Sequence, residues 1–155
     1  MADPAASVAI VGTAAGALQL RLANDIGAVA AALPCVQGFA RDAELPPRLA
    51  NRLEVVFEEL ASNPIRHGFT PGSGQSLSVS LTARPDGVRL EFEDDGPPFD
   101  PLARAAPPAL DRLDTAPEGG LGIALVRRLA SRFVREQPPR LPGMINRIVV
   151  ELPRG

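Results

Sequence analysis

Residues 52–68 read RLEVVFEELASNPIRHG, and the rest of the chain is organised around them. Leu49, Leu53, Val56, Phe57 and Leu60 recur at helical spacing and predict an apolar stripe. Glu59, Ser62, Asn63 and Arg66 fall at i, i+3, i+4 and i+7 on the opposite face, so a carboxylate and a carboxamide project from successive turns. Such a pair suits chemistry: an amide oxygen is a hard, neutral ligand for Mg²⁺, and a carboxylate one turn away can take a proton from a hydroxyl without competing for the metal. By themselves the same four residues also describe a solvated helix face. Pro64 lies within the stretch, and its ring and missing N–H predict either a kink at Asn63 or a helix that stops there with 65–67 as a loose last turn. Arg66, His67 and Gly68 read as ordinary helix-stop residues.

Working outward toward the N-terminus, Leu18, Leu20 and Leu22 alternate with Gln19 and Arg21, the pattern of a half-buried strand ending at the capping pair Asn24 and Asp25. Ile26, Val29, Leu33, Val36 and Phe39 then mark a helical region reaching about Ala43, in which Gly27 and Pro34 predict a kink or two short helices. Residues 1–16 lack a clear period and are expected to be disordered, although 8–11 could form a short edge strand. Residues 17–155 are expected to form one domain.

Toward the C-terminus, Leu77, Val79, Leu81, Ala83 and Val88, Leu90, Phe92 alternate on either side of Arg84-Pro85-Asp86-Gly87 and predict a hairpin. The same period puts Asp94 on the core side of its strand, where a carboxylate requires a partner. Gly96 allows close approach to the backbone just beyond it. Residues 97–118 are rich in Pro and Ala, have no sustained pattern and read as a mobile lid. Gly119, Gly120, Leu121 and Gly122 feed an amphipathic helix marked by Ile123, Leu125, Val126, Leu129, Ala130 and Phe133, and its N-terminal N–H groups favour phosphate. Two strands, about 133–136 and 145–152, close the chain, with Ile148, Val150 and Leu152 inward.

The composition narrows the classes of function. A net charge of −2, no Trp or Tyr and no basic block leave neither the electrostatic nor the stacking signature of a nucleic-acid binder. Cys35, the single cysteine, excludes an internal disulfide and a cysteine-based zinc cluster, and is expected to be a buried apolar residue. No apolar span has the length of a membrane helix and no basic n-region opens the chain, so a cytoplasmic protein without a membrane partner is expected.

The helix pair, the inward Asp94 with Gly96, and the glycine turn behind a long loop find one explanation in a nucleotide. A buried carboxylate accepts from an exocyclic amine, while phosphates require metal and backbone N–H groups. EELASNPIRHG, DDGPPFDP and GGLGIALVRRL, in this order, resemble the N, G1 and G2 boxes of the GHKL nucleotide-binding family, and most closely its bacterial anti-sigma factor serine kinases. The resemblance covers about 18–152, including a late Asn146 and Arg147. It implies a two-layer α/β (α+β) sandwich of the histidine kinase-like, Bergerat-type ATP-binding fold, a mixed sheet with helices on one face. It further implies that ATP and Mg²⁺ bind, that Asn63 holds the metal and Glu59 acts as base, and that Asp94 receives the adenine amine beside Gly96. Gly119, Gly120, Leu121 and Gly122 would line the phosphate end. Partners implied are a STAS-type anti-anti-sigma protein as phosphorylation substrate, a sigma factor as sequestered target, and a second copy in a homodimer. Pro64 and Pro98 depart from the pattern, Pro98 at the second glycine of the G1 box. The alternative class is a non-catalytic module of the same fold that acts by binding nucleotide or a partner. A bare ATPase is disfavoured for want of a second domain, and a histidine kinase for want of a phosphoacceptor histidine other than His67.

Overall fold

Alternation of apolar and polar residues gives the sheet one apolar side and one polar side, and the helices cover the apolar side alone. The structure, a computed structural model, describes residues 7–103 and 120–155. In chain order it comprises β1 (Val8–Ala14), β2 (Ala17–Ala23), α1 (Ile26–Asp42), α2 (Pro47–Asn63), a π-helical turn (Pro64–Gly68), β3 (Ser76–Arg84), β4 (Gly87–Asp94), a 3₁₀ turn (Pro101–Ala103), α3 (Gly120–Leu129), β5 (Arg132–Arg135) and β6 (Asn146–Pro153). The strands lie in the order β1-β2-β3-β4-β6-β5. Every neighbouring pair is antiparallel, where the family resemblance implies a mixed sheet. The reason is that β5 turns back directly into β6, and β6 lies antiparallel to β4 as well.

Across the sheet, Leu20, Val79, Phe92 and Ile148 stand in one row, and Leu22, Leu77, Asp94 and Asn146 in the next. The apolar members of these rows meet Leu53, Val56, Phe57 and Leu60 of α2 and Ala28, Ala32 and Val36 of α1 in a single core. The chain is therefore a two-layer α+β sandwich, as the family resemblance implies, with the α2 stripe fully engaged.

Two local expectations change. Helix α1 runs unbroken through Pro34, which is exposed, as is Ala30, whose carbonyl loses its donor there; water can satisfy that carbonyl at little cost. Asp25 caps the helix by accepting from the Gly27 N–H at 3.0 Å. Within the 1–16 segment expected to be disordered, Val8–Ala14 instead forms an edge strand paired with β2, with a register shift between Ile10 and Gly12. A turn with Gly16 at φ 72° makes this hairpin possible. Its residues are nearly all exposed, so the one-sided burial that betrays a strand in sequence is missing.

The polar side of the sheet carries an ion network. Arg147, 1% exposed, donates to Glu91, Glu93 and Glu136, and the loop before β6 adds Arg140 and Leu141 backbone N–H groups to the Glu93 carboxylate at 2.6 and 3.1 Å. Glu91 pays a desolvation penalty, which raises its pKa, but the guanidiniums of Arg147, Arg89 and Arg140 outweigh it and hold the carboxyl below the usual range. That contribution to stability is present above the ordinary carboxylate pKa and fades as the pH falls through the lowered one. Removing one member of a buried charge cluster strands the others, at about 3–5 kcal/mol. Arg147→Leu should therefore lower unfolding stability by about that amount in chemical denaturation, whereas Arg84→Ala, at the exposed edge of the same face, should cost under about 1 kcal/mol.

Candidate functional site

The end of α2 and the end of β4 converge on one small cavity. Leu60, Asn63, Pro64 and Gly68 line it from above, Leu77, Phe92, Asp94, Asn146 and Ile148 from the sheet, and Pro97, Phe99 and Pro101 from the segment after β4. The free space among them is about 30 Å³, enough for one or two waters.

Asp94 is half-buried and holds a worked-out set of partners. The Gly96 N–H and the Asn146 Nδ2 both donate to its Oδ1, each at 2.9 Å. Burial pushes its pKa up; the Asn146 and Gly96 hydrogen bonds oppose this, neighbouring Asp95 adds to it, and Arg135 opposes it. Its carboxyl nevertheless ends above the ordinary range. Gly96 is buried because a Cβ there would stand 2.9 Å from the Phe69 ring and 3.1 Å from Asp94 Oδ1.

Glu59 and Asn63 are both half-buried, one helical turn apart on α2. The Glu59 carboxylate packs on Gly122 so closely that a Cβ on the glycine would overlap it. Gly120, Leu121 and Gly122 form the first turn of α3 rather than a loop ahead of it, and the N–H groups of such a turn have no partner within the helix. Gly119 and the lid residues 104–118 lie outside the described residues. Ser62 does not share the polar face with Glu59: it is buried, and its hydroxyl turns back to donate to the Glu58 carbonyl at 2.5 Å, as short hydroxyl side chains in helices do. Arg66 and His67 are exposed in the π-helical turn.

Pro64 leaves Asn63 undistorted. Asn63 keeps helical angles of φ −58° and ψ −53°, and the chain absorbs the proline by widening the next turn, which closes with the Phe69 N–H donating to the Pro64 carbonyl at 2.7 Å. The helix thus stops at Asn63, one of the two outcomes expected, but without the predicted departure of Asn63 from helical ψ. Among the described residues no cluster of three His, Cys, Asp or Glu side chains could hold a metal by itself. A lone amide oxygen still fits Mg²⁺, which keeps waters and takes few protein ligands when phosphates supply the others.

Sequence reasoning noted Asn146 only as part of a motif and assigned it no role; Arg135 it missed. Asn146 is 4% exposed. Its Nδ2 also donates to the Pro97 carbonyl at 2.9 Å, and its Oδ1 accepts from the Phe99 N–H at 2.9 Å and from an Arg135 guanidinium nitrogen at 3.3 Å. Period two counted back from Ile148, Val150 and Leu152 puts Asn146 on the inner face, so the signal was present. Cys35, expected to be buried, is only partly so, in a groove of about 210 Å³ between β1 and α1.

Residues 22–144 match the model of the histidine kinase-like ATPase domain. The chain is also similar to the serine/threonine-protein kinase BtrW of Bordetella bronchiseptica, 34% identical over 80 residues, which are 52% of this chain and 56% of that protein. The chain thus spans little more than half the length of that relative.

The Gly96 contact is directly testable. Gly96→Ala must push either the buried Phe69 ring or the Asp94 carboxylate, so a loss of about 1–3 kcal/mol is expected in thermal or denaturant unfolding. Unchanged stability would show that the Phe69 ring moves freely.

Proposed function

Because the chain belongs to the histidine kinase-like ATPase domain family, we propose that it is an ATP-dependent protein serine kinase and anti-sigma factor, with a STAS-type protein as substrate and a sigma factor as the partner it sequesters. The observation that carries this is the placement of Glu59 against the first turn of α3 while Asn63, one turn further along the same helix, lines the Asp94 cavity. Asp94 accepts the adenine amine and the head of α3 faces the phosphates. Asn63 would hold Mg²⁺, which when bound neutralises phosphate charge. In the transfer, a serine oxygen bonds to the γ-phosphorus, the bond to the leaving ADP oxygen breaks, and Glu59 takes the serine proton. The kinase relative named above supports this reading over about half the chain. No helix among the described residues is long and apolar enough to cross a membrane, which is compatible with the cytoplasmic partners proposed. Homodimer formation belongs to the same proposal.

A non-catalytic binding module is the second reading. The cavity beside Asp94 favours it, because its free space of about 30 Å³, lined in part by Phe99 and Pro101, is too small for a purine.

Incubation with labelled ATP and candidate STAS proteins separates the two: label on the STAS protein supports the kinase, and ATP binding without transfer supports the module. Asp94→Asn removes the charge from a charge-assisted hydrogen bond worth about 1.5–3 kcal/mol, so ATP affinity should fall roughly 10- to 100-fold by calorimetry. Equal affinity would take Asp94 out of the site. Glu59→Gln should keep ATP affinity and abolish transfer. Gly122→Ala should do much the same, since the new methyl displaces a flexible carboxylate and leaves the fold intact. Misplacing the base by about 1 Å can cost about 100-fold in rate. Transfer at the wild-type rate in Glu59→Gln would remove Glu59 from the role of base.

A further inference from the structure

The hydrogen bonds of Asn146 do more than satisfy a buried amide. Its Nδ2 reaches Asp94 Oδ1 and the carbonyls of Gly96 and Pro97, while its Oδ1 takes the Phe99 N–H. One side chain thus ties the end of β4 to the segment that lines the cavity. We infer that Asn146 is a positioning residue that locks the Asp94 carboxylate and the 96–99 backbone into one unit, fixing which carboxylate oxygen a ligand meets and holding Phe99 at the cavity. Both donors to Asp94 among the described residues take Oδ1, so Oδ2 is the oxygen left for an incoming amine. The same donors favour the ionised carboxylate, the only form that can accept from an amine with both oxygens.

Among the described residues the groups around Asp94 are few. From its own strand end comes Asp95, from β5 Arg135, from β6 Asn146, and from α2 the neutral Asn63; Pro97, Phe99 and Pro101 bring no charge. Among the described residues, Asn146 is the one side chain with hydrogen bonds to both the carboxylate and the 96–99 backbone, so its replacement has two separable consequences. Losing the donor destabilises ionised Asp94, and its titration moves to higher pH. Losing the acceptor removes the bond that Asn146 makes to the Phe99 N–H.

Asn146→Leu removes both functions, and Asn146→Asp removes the donor while keeping an acceptor for Phe99. The Asp94 carboxyl carbon, followed by NMR against pH in the protein without nucleotide, should titrate at higher pH in both variants than in the wild type. Amide exchange at Phe99 should quicken about tenfold in Asn146→Leu, the worth of one ordinary hydrogen bond, and stay near wild type in Asn146→Asp. A carboxyl titration unchanged in Asn146→Leu, or Phe99 exchange unchanged in Asn146→Leu, would overturn the inference. Should Asn146→Leu fail to fold, the same two readouts in Asn146→Ala decide, because the new carboxylate of Asn146→Asp raises the Asp94 titration by like charge as well. The link to nucleotide rests on the function proposed above: the pH below which ATP binding is lost should rise in parallel with the Asp94 titration. Wild-type protein that binds no ATP would sink that proposed function, while the carboxyl titration would still decide the role of Asn146.

Discussion

A carboxylate on the apolar side of a sheet is the constraint that the site is built around. Asp94 stands in the row of Leu22 and Leu77, where a charge without partners would cost several kcal/mol or be neutralised by taking up a proton. Three features answer it at once. The chain turns so that the Gly96 N–H comes back to Oδ1, β6 supplies Asn146 in the directly opposed position, and the end of α2 leaves a cavity instead of packing an apolar side chain there. Desolvation still wins, and the carboxyl stays above its ordinary pKa. A carboxyl raised by burial beside a cavity marks a candidate ligand site, which supports the proposed role of Asp94.

Strand β6 serves both sides of the sheet with adjacent residues. Asn146 points inward to Asp94, and Arg147 points outward into the cluster of Glu91, Glu93 and Glu136. A slip of one residue in the pairing of β4 with β6 would exchange them, leaving the outer glutamates without their cation and placing apolar Val149 and charged Glu151 on the core side. The ion network is therefore a register lock as well as a source of stability, and the geometry at Asp94 depends on it although no atom of the network touches the cavity. The backbone hydrogen bond from the Ile145 N–H to the Asp94 carbonyl at 2.7 Å continues the same alignment past the end of the strand.

Much of this was legible in the sequence, and the exceptions share a cause. Period two along β2, β3, β4 and β6 and period 3.6 along α2 gave these elements, the hairpin and the inward aim of Asp94, because each rests on burial of one face, while the layering came from the family resemblance. Val8–Ala14 was expected to be disordered because its pairing to β2 buries little, so no pattern marks it. Pro34 was read as a break on local rules but is exposed where water repairs the loss; at Pro64 the expected stop holds, and only the distortion of Asn63 is missing, because a wider turn absorbs the ring. The antiparallel order throughout, and the bonds from Asn146 to Phe99 and Arg135, depend on contacts between distant segments, which periodicity does not report. Ser62 fell on the right face by angle, yet its hydroxyl found a nearer partner in its own helix.

The position of Pro64 follows from what α2 has to measure. Glu59 abuts the head of α3 and Asn63 reaches the Asp94 cavity, and a helix separates residues four apart by about 6 Å along its axis. Any wide or broken turn between them would change that interval, so the chain must be regular through Asn63. Beyond Asn63 it must leave the helix path to return to β3, and a proline there costs nothing that the interval depends on. The helical angles of Asn63 and the widening that begins only at Pro64 fit this division. The proline therefore marks where the need for regular spacing ends.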